Sequence, residues 1–352
     1  MKSSKNSILL KILRGQSALR AAVVCPGGMM SLAVTEVLGA RGIRLVDAHG
    51  DARAMADLAA AMHEASGFDN LAMPFCMTVE AESYGATVDL GDDLTQPKVR
   101  GAVLAPDGTG TLPRPKWSSG RAGVLLEALR LARRERPGTP VMGNLVGPFS
   151  LLAMLADPLM VLRWTRRKPE LALGYLDCIT RELARFGALQ VKAGADCVCI
   201  ADPTATGEIL GGELFSKFAA PFLARLVAAL RGEGVPVIIH ICGDVAAIER
   251  ELFSLRPDAM SFDAMVSLAR LAAKKPPWLV MGNVDAFLLE AGPAAKVKRR
   301  ARALAAHGVR LLAPACGVIP TTPVANLRAM RGAAQQPHLE EGRRGSDPPP
   351  SR

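Results

Sequence analysis

Short apolar runs alternate with longer segments of helical periodicity along most of the chain. The apolar runs contain few polar residues, which is typical of strands buried on both faces of a parallel sheet. The eight runs that we interpret as strands are residues 21–27, 69–75, 139–148, 195–202, 235–243, 258–264, 278–286 and 309–317.

Segments with apolar residues at helical spacing lie between these runs. They are residues 119–136, 168–194, 212–234, 244–255 and 294–308. Pro169 suits a first helical turn, and Pro221 should kink or split its helix, since proline lacks the N–H that an inner turn needs. The repeated alternation predicts a (β/α)8 TIM barrel in the α/β class, formed as a single domain. A doubly wound open sheet is the alternative, but no GxGxxG motif opens a first crossover.

Three regions fall outside the alternation. Residues 1–20 carry apolar positions at helical spacing between basic residues, so we predict an N-terminal helical segment before a barrel at 21–332. Residues 78–116 contain many turn residues and predict a hairpin-like insertion after the second strand. Residues 333–352 are polar and rich in proline and glycine, and we predict a disordered tail.

Composition narrows the classes of function. The chain has 352 residues and a formal charge of +10, but aromatic residues make up only 4% and no nucleic-acid motif is present, so we predict no nucleic-acid partner. No stretch has 18 uninterrupted apolar residues, which argues against a membrane span. Seven cysteines, an odd number without disulfide-framework spacing, favour a reducing cytoplasm.

Several polar residues stand where the predicted strands end. Active sites of (β/α)8 barrels lie at the carboxyl ends of the strands, so these side chains are candidates for chemistry. Among them, Asn144, Asp202 and Asn283 are candidates for shaping or orienting a pocket, and helix capping is the competing interpretation.

The stretch "VIIHICGDV" carries the most specific pattern. In a strand, residues i and i+2 point to the same side, so His240 and Cys242 would present a nitrogen and a sulfur to one point. Cys316 also follows an apolar run and precedes a glycine. Three nitrogen and sulfur ligands suit zinc with a fourth position open, whereas the alternative is an ordinary buried histidine and buried cysteines. His49, His63 and His307 have no partner pattern, and we predict that they lie on the surface.

Several separated motifs together resemble one known family. They are "VVCPGGMM" (23–30), "GFDNLAMPFCMTVEAESYGATVDLGD" (67–92), "GNLVGPFSLLAMLADP" (143–158), "AGADCVCIADPTATGEILGG" (193–212), "HICGD" (240–244), "GNVD" (282–285) and "PACGV" (314–318). The chain is similar to the uroporphyrinogen decarboxylase superfamily, and more closely to its corrinoid-dependent branch, the methylcobamide:coenzyme M methyltransferases. The resemblance implies a (β/α)8 barrel and a zinc ion bound by His240, Cys242 and Cys316.

The resemblance also implies an activity. A methyl group would move from a methylated corrinoid to a thiol such as coenzyme M, or in other organisms to another thiol or a folate. The corrinoid would be carried by a separate protein, because no D-x-H-x-x-G cobalamin motif occurs in this chain. Asp263 and Glu208 are candidates for a fourth zinc ligand.

Two other functions stay open. A metal-free decarboxylase of the same superfamily would use an arginine-rich motif, and residues 23–30 contain no arginine. A non-catalytic barrel partner in a methyltransferase system would not need the three ligands.

Relatives often carry an Asp-Arg pair before the first strand, where this chain has Arg20 without the aspartate, so we expect weaker anchoring there.

Overall fold

The computed structural model describes residues 7–28 and 31–334. Met29, Met30 and most of the predicted tail, residues 335–352, lie outside the described residues. Ten strands occur in the described part of the chain. They are β1 (Ala22–Val23), β2 (Leu71–Ala72), β3 (Val88–Asp89), β4 (Lys98–Val99), β5 (Val141–Val146), β6 (Cys197–Ala201), β7 (Val237–Ile241), β8 (Ala259–Phe262), β9 (Leu279–Met281) and β10 (Leu311–Leu312).

Eight of these strands form one curled parallel sheet in the order β1-β10-β9-β8-β7-β6-β5-β2. Each of the eight lies inside one of the predicted apolar runs, which confirms the α/β fold with a parallel sheet. The central strands β5, β6, β7 and β8 are buried along their whole length, as their continuous apolar sequences require. Parallel strands bring all their carboxyl ends to one side of the sheet, and that side carries the candidate site.

Sixteen α-helices accompany the sheet in the described residues. They are α1 (Ile8–Leu13), α2 (Thr35–Arg41), α3 (Leu45–Gly50), α4 (Ala52–Ser66), α5 (Val79–Ser83), α6 (Gly120–Glu135), α7 (Pro148–Leu155), α8 (Pro158–Arg167), α9 (Pro169–Ala193), α10 (Gly207–Phe218), α11 (Ala220–Gly232), α12 (Glu249–Leu252), α13 (Leu268–Ala273), α14 (Ala286–Ala291), α15 (Ala294–Ala306) and α16 (Val324–Ala333). Among these described residues, no helix combines the length and the apolar character needed to cross a membrane.

The proline-based predictions for the helices are confirmed. Pro169 occupies the first turn of α9, and Pro221 stands in the first turn of α11, where the predicted helix 212–234 divides into α10 and α11. The predicted helix 244–255 is shorter than expected. A 3₁₀ turn at Ala246–Ile248 precedes the four-residue α12.

The outermost strands of the sheet, β1 and β2, are linked by backbone and side-chain bonds. The Asp69 amide donates to the Val23 carbonyl at 2.7 Å. The Asn70 side chain accepts from the Cys25 amide at 3.1 Å and donates to the Cys25 carbonyl at 2.8 Å, so it imitates a strand partner. These bonds bring the two ends of the curled sheet together.

The expectation of weak anchoring at Arg20 is wrong. Arg20 makes a bidentate ion pair with Asp69, with nitrogen–oxygen distances of 2.6 and 2.8 Å. The same carboxylate accepts from the Val23 amide at 2.8 Å. The acidic partner therefore comes from the residues just before β2, which are 49 positions away and could not be paired with Arg20 from the sequence.

Residues 78–116 hold the short helix α5 and the antiparallel pair β3–β4, in which Val88 pairs with Val99. Just beyond this segment, the Trp117 ring stacks on Phe186 of α9 with a centroid distance of 4.4 Å. The Val103 and Leu104 amides both donate to the Leu155 carbonyl. The segment is thus held against α7 and α9 rather than extending free of the sheet.

The predicted surface position of His49 is wrong. His49 is 1% exposed, and burial lowers its pKa to about 4, with a further contribution from the positive charge of Arg121. α3 is only six residues long, so its periodicity is too short to show which face is buried. His63 is half-buried and His307 is exposed.

Candidate metal centre

The end of β7 presents two of the predicted ligands. His240 is the fourth residue of the strand and is fully buried, and Cys242 follows one position after the strand ends. The two side chains share one side because strand residues alternate. Gly243 has φ +68°, a left-handed conformation that glycine adopts without strain, and it turns the chain away immediately after the thiol.

The third predicted ligand, Cys316, follows β10 in the chain. Val284 forms an isolated parallel bridge with Pro314, and the Ala315 amide donates to the Val284 carbonyl at 2.8 Å. These bonds extend the sheet beyond β9 and β10 and fix the backbone directly before Cys316. The thiol is therefore delivered to the same side of the sheet as His240 and Cys242.

The donor atoms of the three residues converge. His240 Nε2 lies 3.1 Å from Cys242 Sγ, the two Sγ atoms are 3.5 Å apart, and all three donors fall within 4.8 Å of one another. Zinc–sulfur bonds of about 2.3 Å and zinc–nitrogen bonds of about 2.0 Å at tetrahedral angles require separations of about 3.8 Å between sulfurs and about 3.5 Å between nitrogen and sulfur. The His240–Cys242 and Cys242–Cys316 separations are each within about half an ångström of these values. The donor set therefore fits a tetrahedral ion with one position left over.

The two thiols share their protons unequally. The pKa of Cys316 is lowered, chiefly because of its hydrogen bond with the Cys242 thiol and further because His240 is near. The pKa of Cys242 is raised because its proton is held by Cys316 and because the site is buried. One thiolate thus forms readily, and thiolate is the form of cysteine that binds metal.

Two carboxylates lie beside this cluster without joining it. The negative charge of Asp263 contributes to raising the pKa of Cys242. Glu208 lies against Gly243, with Oε2 only 2.8 Å from where a β-carbon would stand at that residue. Neither carboxylate belongs to the group of donors that lie within 4.8 Å of one another.

Asp202, predicted as a pocket residue, is fully buried at the start of α7. Its carboxylate accepts from the Ser150 amide at 2.8 Å and the Phe149 amide at 3.3 Å. Burial raises its pKa to about 6, and the bonds from Ser150 and Phe149 oppose that rise. This geometry is that of a helix cap supplied by a neighbouring strand end. The Asp202 amide also donates to the His240 carbonyl at 3.0 Å, which connects this capping residue to β7, the strand that carries His240.

Asn144 lies in the interior of the sheet on β5. Its side-chain nitrogen donates to the carbonyls of Pro26 and Met73, and its backbone amide and carbonyl both bond the Gln190 side chain. The residue therefore connects three strands with α9. These contacts stabilise the sheet, and none of them is with the donor atoms of His240, Cys242 or Cys316.

Asn283 holds a neighbouring loop. Its side-chain nitrogen donates to the carbonyls of Asp263 and Val266 at 2.7 and 2.8 Å, and its oxygen accepts from Arg300 at 3.2 Å. The loop that carries Asp263 past the cluster is thus anchored from the end of β9. Asn283 thus links the end of β9 to the loop that follows β8.

Comparison with known proteins identifies relatives of this chain. The family model of uroporphyrinogen decarboxylase (URO-D) matches residues 4–337. The chain belongs to this family. A methylcobamide:CoM methyltransferase, MtbA, from Methanosarcina acetivorans is 31% identical over 326 residues, which cover 92% of this chain and 95% of that protein. A methylcobamide:CoM methyltransferase, MtaA, from Methanosarcina barkeri (strain Fusaro) is 29% identical over 86% of this chain and 90% of that protein.

A solved structure of a methyltransferase from Methanosarcina mazei has the same fold. It superposes with a TM-score of 0.87 at 28% identity, and the match covers 95% of this chain and 98% of that one. The match extends over nearly the whole length of both chains. The curled parallel sheet described above is therefore that of a methyltransferase of the URO-D family.

One residue near the cluster was missed in the sequence. Ser261 on β8 is fully buried, and its Oγ lies 3.1 Å from His240 Nδ1. The available signal was weak, since Ser261 is a single hydroxyl in the otherwise apolar run "AMSF". A buried hydroxyl needs a hydrogen-bond partner, but the sequence does not show which group that partner is.

Proposed function

We propose that this protein is a zinc-dependent methyltransferase that moves a methyl group from a methylated corrinoid to a thiol acceptor such as coenzyme M. The observation that supports this most directly is the convergence of His240, Cys242 and Cys316 within 4.8 Å. The relatives named methylcobamide:CoM methyltransferases, at 31% and 29% identity, support the reaction class.

The three side chains would hold zinc through His240 Nε2 and the two sulfurs. A neutral imidazole and two thiolates balance the charge of a divalent ion, and the position that they leave over is available to the acceptor. Bound zinc supplies a Lewis acid that keeps the acceptor thiol deprotonated near neutral pH. In the proposed reaction a sulfur–carbon bond would form and the carbon–cobalt bond of the donor would break, and the cobalt would retain the bonding electrons.

The donor and the acceptor are separate molecules in this proposal. A partner protein carries the corrinoid, and a small thiol or a folate accepts the methyl group. Coenzyme M is an anion, and the formal charge of +10 makes the chain as a whole favourable to anionic ligands. We include Asp202, Asn144 and Asn283 as supports of the pocket rather than as groups that touch the reacting atoms.

We also propose that the curled sheet is a closed (β/α)8 barrel with the segment 78–116 as its insertion. The bonds from Asp69 to Val23 and between Asn70 and Cys25 support closure, because they join the two outermost strands. All seven cysteines are free thiols, which supports a reducing cytoplasmic location. The division into 1–20, 21–332 and 333–352 stays a prediction.

The test combines metal content with turnover. The purified protein is analysed for zinc and assayed for methyl transfer from methylcobalamin to coenzyme M, homocysteine and tetrahydrofolate in parallel. We expect about one zinc per chain and product with at least one acceptor. His240→Ala and Cys242→Ala should lose both, whereas Cys178→Ala, a half-buried cysteine on α9, should lose neither.

The outcomes separate the competing functions. A metal-free protein that acts as a carboxy-lyase would contradict the proposal and favour the decarboxylase alternative. Stoichiometric zinc without turnover on any acceptor, even with a protein-bound corrinoid as donor, would favour a non-catalytic partner. Full methyl transfer by a metal-free Cys242→Ala protein would exclude the zinc-dependent reaction.

A further inference from the structure

The histidine of the cluster is held from behind by the next strand. In the pairing of β7 with β8, His240 stands opposite Ser261, and both residues are fully buried. Ser261 Oγ is 3.1 Å from His240 Nδ1, while the other ring nitrogen, Nε2, is 3.1 Å from Cys242 Sγ. The ring is therefore placed between a hydroxyl on one side and the metal-binding thiols on the other.

The two nitrogens of a neutral imidazole have different capacities. One carries a proton and donates, and the other has the lone pair that a metal needs. If Nε2 carried the proton, it would point an N–H at the sulfurs and could not bind an ion. If Nδ1 carries the proton, the Ser261 oxygen accepts it and the Nε2 lone pair faces the two thiols.

We propose that Ser261 is a positioning residue that holds His240 in the tautomer with the proton on Nδ1 and fixes the rotation of its ring toward the metal. This inference rests on the proposed zinc site. Metal-bound histidines usually donate their second N–H to a fixed acceptor, and removal of that acceptor typically weakens metal binding by about 10- to 100-fold. Ser261 supplies that acceptor here.

The strand register explains why a serine can serve. Side chains alternate along β8, so Met260 and Phe262, the neighbours of Ser261, point to the opposite face. A shift of one residue in the β7–β8 pairing would place an apolar side chain opposite His240 and leave Nδ1 without this acceptor. The role therefore belongs to the pairing of His240 with Ser261 and not to any local motif.

The test measures zinc affinity rather than turnover alone. Zinc binding is followed by competition with a chromophoric chelator for the wild type, Ser261→Ala and Ser261→Thr, and cobalt-substituted samples report the ligand set by their absorption spectra. We expect about 10- to 100-fold weaker zinc binding in Ser261→Ala and recovery toward the wild-type affinity in Ser261→Thr, which keeps the hydroxyl. Ser66→Ala is the matched control. It removes a buried serine hydroxyl that bonds the Met62 carbonyl and the Phe68 amide, and it should leave zinc affinity unchanged.

A second measurement does not depend on the folding of the Ser261 variants. Nitrogen NMR of ¹⁵N-histidine-labelled wild type, freed of metal by chelation, distinguishes the two tautomers of His240, and His240→Gln identifies its signals. We expect a protonated Nδ1 and an unprotonated Nε2. Protonation on Nε2, or a zinc affinity of Ser261→Ala within about twofold of the wild type, would overturn the role of Ser261 while the zinc site stands. A wild type that binds no zinc would instead refute the proposed function.

Discussion

The ion pair between Arg20 and Asp69 should stabilise the junction between β1 and β2. Asp69→Ala removes both bonds to the guanidinium and the acceptor for the Val23 amide. Arg20→Met removes the charge and keeps an unbranched apolar side chain. The two side chains are only 15% and 14% exposed, so water cannot replace the lost contacts fully.

The expected magnitude follows from this burial. A hydrogen bond to a charged group contributes about 1.5–3 kcal/mol, and truncation of one partner of a buried ion pair costs about 3–5 kcal/mol. Partial exposure reduces these values, and we expect Asp69→Ala to lower the free energy of unfolding by about 3 kcal/mol. The coupling between the two substitutions should be about 1–2 kcal/mol, because Arg20 acts mainly through Asp69.

The assay is a double-mutant cycle in urea with the transition followed by circular dichroism. Arg44 and Asp47 form the control pair, with the same 2.6 Å separation but with side chains 69% and 47% exposed. Exposed pairs at this spacing contribute little to stability, because water and salt screen the two charges. A coupling energy between Arg20 and Asp69 no larger than that of the control pair would refute the reasoning. Burial would then not make this ion pair a structural link between the outermost strands.

Two further residues give predictions that separate support from chemistry. Burial raises the pKa of Asp202 to about 6 from 3.8, so the folded protein binds this proton more tightly than the unfolded chain does. The free energy of unfolding should therefore fall by about 2–3 kcal/mol as pH rises from about 4 to 6. Asp202→Asn should remove that part of the pH dependence and keep zinc; identical pH profiles for the two proteins would contradict the buried acid. Asn283→Ala should lower stability by about 1–3 kcal/mol, since it frees the carbonyls of Asp263 and Val266, with zinc content unchanged by elemental analysis. Loss of zinc in a folded Asn283→Ala protein would show that the loop anchor is part of the metal site.

The positions of the eight strands could be read from the sequence because a buried parallel strand is apolar on both faces. The run at 195–202 contains β6, and the run at 235–243 contains β7. Prolines marked the starts of α9 and α11 for an equally local reason, the missing N–H. Short elements were harder, since the six residues of α3 could not reveal that His49 faces the core.

The pocket residues show the same limit. Asp202 and Asn283 follow strand ends as predicted, whereas Asn144 lies within β5. The sequence left capping and pocket roles open for all three. Their hydrogen bonds lead to α7, to the interior of the sheet and to the loop after β8, respectively. Each of those partners is far away in the sequence, so only the folded chain could show which groups these three side chains bond.

The sequence alone determined that His240 and Cys242 are a pair of candidate metal ligands on one side of a strand, because the alternation of strand residues is a local property. Only the tertiary structure decided that Cys316, 74 residues later, reaches the same point, with its sulfur 3.5 Å from that of Cys242. The same holds for Ser261 behind His240 and for Asp69 beside Arg20. Contacts of this kind depend on strand register and on how the sheet curls, and these are set by the packing of the whole core rather than by any neighbouring residues.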